Sequence, residues 1–358
     1  MVDFRYHLVS LVAVFIALAI GIVLGAGPLR EGISQRLDDE VAELRTERTE
    51  LRSELDVQSR QASAKDEAVD LLSPRGVAGT LNGIRVGLVL LPGADRNHVA
   101  QLEDRVADAG GTLAVQVEVD QSFEAGDADP EVLAEAGSRL ALPEGDGGSD
   151  DDASGPGQVL AATLAGADRE GEAGAWLAAG ERLRDEGWID VEWQDAQAPV
   201  TDRRPPEVLL VVGGGLSAAE LAPEDDAAQD RLAVREELVE GLVQLDVPLV
   251  VAAAGTEAGA LTEGGGQDGL VSAVRDDGAL RGEVSTVDDL EGASGRAAAV
   301  LALAWELQDE SGHYGLGEDA QSPVPAPPPL RLTSVPGTGQ EPPASDPVPA
   351  DPASTTAP

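Results

Sequence analysis

The chain has 358 residues, 42% of them hydrophobic, enough to bury at least one sizeable core. Its formal net charge is -42 and Lys65 is its one lysine, a balance that repels phosphate backbones and excludes nucleic acid as a partner. There is no cysteine, which excludes disulfides, thiolate metal sites and cysteine nucleophiles.

Residues 8–29 carry no charge and only Ser10 is clearly polar. About 20 apolar residues span a bilayer as a helix, so residues 1–30 read as a transmembrane anchor. A cleaved signal peptide is the competing reading. It is opposed by the length of the apolar run and by Pro28 after the small-residue exit Gly25-Ala26-Gly27. Arg5 precedes the span, while Arg30, Arg36, Arg45 and Arg48 follow it. Charge counting alone would therefore keep the large domain inside, but long domains translocate despite such charge. Ala13, Ala17, Gly21 and Gly25 recur every four residues, a spacing that lets two helix backbones approach closely. The plain alternative is that small residues are common in membrane spans.

Residues 31–73 read as a coiled-coil stalk. Leu37, Val41, Leu44, Leu51, Leu55, Val69 and Leu72 step by fours and threes, and Arg48, Gln58, Ala62 and Lys65 fill the remaining seam positions. Polar residues in the seam predict a weak coiled coil, either a homodimer or a pairing with another chain. A lone amphipathic helix folded on its own domain is the alternative. Ser73-Pro74-Arg75-Gly76 is expected to stop the helix.

Residues 82–317 read as the soluble domain. Residues 84–91 form an apolar run of strand type, 97–109 an amphipathic helix and 112–119 a second strand. The pattern returns with a strand at 208–212, a helix at 227–245, a strand at 248–253, a further strand at 284–287 and a helix at 294–307. Continuous apolar strands between helices predict a layered, mostly parallel, Rossmann-like α/β sheet covered on both faces. A Gly/Asp-rich insert near 144–157 is expected to be a mobile loop, and the Pro-rich residues 318–358 a disordered tail.

Chemistry is hard to find along this chain. Gly213-Gly214-Gly215 fits neither a dinucleotide fingerprint nor a phosphate loop and reads as a turn. Asp150-Asp151-Asp152 lacks the spacing of a calcium loop and reads as solvated. His7, His98 and His313 share no ligand spacing. No catalytic, cofactor-binding or metal-ligating residue is assigned, and the chain is expected not to be an enzyme.

The segment Arg5-Tyr6-His7-Leu8-Val9-Ser10-Leu11-Val12-Ala13-Val14-Phe15, continuing through Ala17-Leu18-Ala19-Ile20-Gly21 and Val23-Leu24-Gly25, is distinctive. So are Ser285-Thr286-Val287-Asp288-Asp289, Gly295-Arg296, Val300-Leu301-Ala302-Leu303, Gly312 and Tyr314-Gly315. With these two motifs in this order, residues 1–317 resemble the mycobacterial copper transport protein B family, which includes corynebacterial SteB. The resemblance implies an actinobacterial envelope protein, single-pass in the cell membrane, with its large domain extracytoplasmic. It implies a role in copper homeostasis or efflux. From the SteB-like members it implies instead a scaffold for envelope assembly and cell division, acting with a membrane-bound cytoplasmic partner and recruiting a peptidoglycan hydrolase. The residues argue against a conducting β-barrel, which needs longer strands of alternating polarity. Copper conduction also calls for Met, His or Cys along a path, and only scattered histidines are present.

Overall fold

The computed structural model describes residues 4–125, 128–142, 155–195, 199, 202–213, 226–254, 269–317 and 319–329. The chain divides into two compact units, 1–71 and 72–358.

The first unit is carried by α1 (Phe4–Val77), whose first 20 residues, Phe4–Val23, have a mean hydropathy of 2.5 and bury nothing against protein. Length and polarity suit a membrane span. The helix does not stop at Pro74. Proline removes its own N–H and disturbs the preceding turn, but it leaves the residues after it free to complete the last one. The chain turns at Val77, whose carbonyl accepts from Thr80 N at 3.1 Å and Thr80 Oγ1 at 2.7 Å.

The second unit holds, among the described residues, one seven-stranded sheet. Its strands are β1 (Arg85–Leu90), β2 (Thr112–Val119), β3 (Ile189–Trp193), β4 (Val208–Gly213), β5 (Leu249–Ala253), β6 (Ser285–Val287) and β7 (His313–Tyr314). Their order is β3-β2-β1-β4-β5-β6-β7, parallel except for the β2–β3 pair. This is the doubly wound arrangement expected from the buried strand runs, with the strand order reversing between β1 and β4. Strand β3 was not foreseen. Neither were the short helices α3 (Gln121–Glu124), α4 (Pro130–Gly137), α5 (Pro156–Ala165) and α6 (Ala175–Asp185).

Alternation along the strands builds two cores. Val89, Leu209, Val211 and Val251 face α3 to α6, α7 (Asp226–Gln244) and α8 (Gly269–Asp276). Val86, Leu88, Leu210 and Val250 face α2 (Arg96–Asp108) and α9 (Ala293–Glu306). Val77 and Leu81, both fully buried, join this second core, so the domain's packing begins ahead of residue 82.

Residues 143–154, which cover the Asp150-Asp151-Asp152 run and most of the expected insert, lie outside the described residues, as do Gly214 and Gly215. Residues 330–358 lie outside them too. The first part of the expected disordered tail is placed, however. Tyr314 and Ser322 form a bridge, Trp305 Nε1 donates to Ala326 O at 2.8 Å, and Pro325 and Pro328 are buried. Proline suits such docking because it loses little further conformational freedom when held.

Candidate functional site

Helix α1 carries every residue that the sequence singled out for assembly. Ala13, Ala17 and Gly21 lie on its exposed surface, and a Cβ built on Gly21 would meet nothing within 4 Å. The side-chain surroundings of Gly25 and Leu37 fall outside the described residues. The rest of the seam is open: Leu44 is 57% exposed, Leu51 53%, Leu55 64% and Leu72 61%, with Val41 and Val69 close behind. A row of large apolar residues at heptad spacing is thus left uncovered in the single copy.

Doubly wound sheets bind ligands where the strand order reverses, here beyond the carboxyl ends of β1 and β4. The described part of that crevice is filled by protein. Asp95 caps α2, accepting from Asn97 N at 2.7 Å and His98 N at 3.3 Å, and these bonds hold its carboxyl below the usual range. The helix end that elsewhere receives a phosphate therefore already faces an anion. His98 belongs to this first helical turn, within the helix expected over 97–109. Arg235 on α7 reaches Pro92 O at 3.3 Å and grips both oxygens of Glu124 at 2.9 and 2.8 Å. Burial pushes the Glu124 carboxyl up, while the guanidinium pulls it down. Pair members this deep, 3% and 1% exposed, hold each other's charge and leave little for a ligand.

The second sequence motif folds into a polar knot at the β6–β7 edge. Asp288 accepts from Arg275 NH1 at 2.7 Å and from the backbone N–H groups of Leu316 and Gly317 at 2.6 and 3.1 Å. Arg275 also donates Nε to Thr286 Oγ1 at 2.8 Å and NH2 to Tyr314 O at 3.0 Å. His313 Nε2 faces Arg281 O at 3.1 Å and must carry the proton; Nδ1 then accepts from Thr286 Oγ1 at 2.9 Å. Burial and the nearby Arg275 push the imidazole pKa down, in keeping with this neutral form. Both ring nitrogens are thus engaged, so His313 offers no free ligand atom. Glu306 on α9, 5% exposed, accepts from Ser285 N at 2.7 Å, and burial pushes its pKa up to about 7. Two glycines permit the packing. A Cβ on Gly295 would overlap the Asp289 backbone, and one on Gly315, at φ 130, would overlap the Asp288 carboxylate. Ser285, Thr286, Asp288, Gly295, Tyr314 and Gly315 belong to the sequence motif, and Arg275, Arg281 and Glu306, outside it, complete the clasp.

A small pocket of about 50 Å³ opens beside the β2–β3 edge, lined by Val115, Val117, Trp176, Leu177, Trp193 and Arg203 among others. The Trp176 and Trp193 ring centroids are 5.8 Å apart and Arg203 Cζ lies 5.0 Å from the Trp193 centroid. Apolar cavities that take a benzene ring are nearer ~150 Å³, so this one suits at most a small aliphatic group. Among the described residues no three His, Asp or Glu side chains are grouped as a metal site.

Residues 1–325 match the profile of the family described as "Copper transport outer membrane protein, MctB". Proteins named copper transporter MctB from Mycobacterium tuberculosis and Mycobacterium bovis are each 29% identical over 337 residues, covering 90% of this chain and 98% of theirs. The Mycobacterium leprae protein of the same name is also 29% identical, over 339 residues. A match that runs from the apolar span through the α/β domain to the docked Pro325 takes in every element described above, and the chain belongs to the MctB family of copper transport proteins.

Proposed function

We propose that this protein is a single-span envelope protein that serves copper homeostasis or efflux through assembly with partners, its α/β domain outside the cytoplasmic membrane and its α1 the working surface. The observation that carries the reading is the uncovered apolar seam between Val41 and Leu72 on a helix that begins as a membrane span. The family and the names of the mycobacterial relatives supply the link to copper. The sheet is open-edged among the described residues and its strands run from 2 to 8 residues, so the copper role we propose is not that of a barrel channel. Nor do we assign the domain an enzymatic activity: Glu124 and Asp288 are held by Arg235 and Arg275, and both ring nitrogens of His313 are engaged.

A second reading is favoured by the same seam. The protein is a scaffold for envelope assembly and cell division, meeting a membrane-bound cytoplasmic partner and recruiting a peptidoglycan hydrolase. One strain separates the two. Deleting residues 37–72 while keeping the span and domain should raise cell-associated copper with normal septa under the first reading, and disturb septa with unchanged copper under the second. Wild-type copper and wild-type septa together would remove both. A topology reporter fused after Pro329 should be active only outside the cytoplasm; an inward-facing result would overturn the placement.

A further inference from the structure

We infer that the partner of α1 is a second copy of this chain, lying parallel and in register, selected by four interhelical ion pairs. This rests on the assembly reading above and names its partner.

The seam fixes the heptad phase. Val41, Arg48, Leu55, Ala62 and Val69 take the a positions, and Leu37, Leu44, Leu51, Gln58, Lys65 and Leu72 take d. The flanking positions then sort by charge. Glu40, Glu47 and Glu54 all fall at g, whereas Arg45 and Arg52 fall at e. In a parallel pair each g residue meets the partner's e residue five positions on. Glu40 therefore meets the partner's Arg45, and Glu47 meets the partner's Arg52; symmetry doubles both pairs. In an antiparallel pair g meets g and e meets e, which would set glutamates against glutamates and arginines against arginines. The pattern selects one orientation, and it is the one that two copies anchored in the same membrane must adopt.

The basic residues inside the seam fit the same arrangement. Arg48 at a stands beside the g position of the other helix, the partner's Glu47. Lys65 at d stands beside the partner's Asp66 at e. Long basic side chains can bury their stems in the seam and turn their heads toward such flanking acids. All four charged flanks, Glu40, Arg45, Glu47 and Arg52, are exposed in the single copy, and among the described residues none of them is in an ion pair. Arg45 and Arg52, seven residues apart, are the basic residues that fall at e, each aligned with a glutamate at g.

The absence of cysteine gives a clean test in the full-length protein in its membrane. Leu51→Cys at d should give a disulfide-linked dimer on mild oxidation, while Ser53→Cys on the opposite face should give at least fivefold less. Two charge variants then carry Leu51→Cys with different tags: Glu40→Arg/Glu47→Arg, basic on both flanks, and Arg45→Glu/Arg52→Glu, acidic on both. An exposed pair shifts an equilibrium about twofold, so losing four should lower crosslinking about tenfold in either variant alone. Co-expression should restore it, as mixed-tag dimers. Crosslinking in each variant equal to the parent would overturn the ion-pair selection, and equal yields from Cys at 51 and 53 would overturn the seam. No self-crosslink from Leu51→Cys, with a foreign chain trapped instead, would overturn the self-pairing while leaving the assembly reading intact. The assembly reading itself fails only if deletion of residues 37–72 is silent. The domain's tryptophan emission, read in every variant, shows that folding is unchanged.

Discussion

Leu51 and Leu183 are both leucines on helices, yet the first is 53% exposed and the second is fully buried. The contrast extends over the two compact units. Along α1 the seam residues from Val41 to Leu72 face outward, and among the described residues Glu40, Arg45, Glu47 and Arg52 make no ion pair in the single copy. In the α/β unit the apolar residues fill two cores, and buried Arg235 and Arg275 close on Glu124 and Asp288. An apolar row left open to water gains from being covered, whereas buried ions that bond each other gain nothing from a further partner.

Breaking the finished side should have the largest effect. Asp288→Ala leaves the Arg275 guanidinium, 7% exposed, without its anion and frees two backbone donors, and should cost about 3–5 kcal/mol in urea unfolding followed by tryptophan emission. Next comes pH. Glu306 has a pKa raised from 4.5 to about 7, so the folded state keeps a proton that the unfolded chain releases. Stability from this group is present in full below pH 4.5, falls as pH rises to about 7 and is level beyond. At 1.36 kcal/mol per unit the loss is roughly 3 kcal/mol, and Glu306→Gln should flatten that part of the pH profile. Smaller again is Gly180→Ala. Gly180 sits inside α6 beside the pocket, and its Cβ would make ordinary contact with Thr163 Cγ2 at 3.5 Å. The substitution should stabilise the domain by about 0.5–1 kcal/mol, read as a higher urea midpoint. Smallest is Leu44→Ser, which in the chain carrying Leu51→Cys should weaken self-crosslinking of α1 while moving the domain's unfolding by less than ~0.5 kcal/mol. A large destabilisation of the domain by Leu44→Ser would collapse the distinction between the two units.

The legible parts of the sequence were those where one local pattern decides the outcome. The strand runs at 86–90, 208–213 and 249–253 are free of polar side chains because both faces of the sheet are covered. The long N-terminal helix and its apolar span needed no tertiary information either. Strand β3 escaped because Ile189-Asp190-Val191-Glu192-Trp193 is short and alternates, as an edge strand with one face outward does. The clasp escaped for a different reason. Arg275, Asp288 and Tyr314 come from three elements, and Glu124 and Arg235 are 111 residues apart, so no spacing rule could join them. Pro74 misled in the opposite direction: a reliable local stop was overridden by three more residues of helix leading to buried Val77.

The carboxylate of Asp95 and the Glu124–Arg235 pair have a bearing on how the molecule matures. Many doubly wound domains reach their final firmness only when a small molecule settles at the strand-order reversal and completes the charge pattern there. In the described part of this crevice the Asp95 carboxylate already meets the first N–H groups of α2, and Glu124 already meets Arg235. At these positions folding does not wait for the charge of a ligand. Phosphate-bearing nucleotides offered to it should leave its unfolding midpoint where it was.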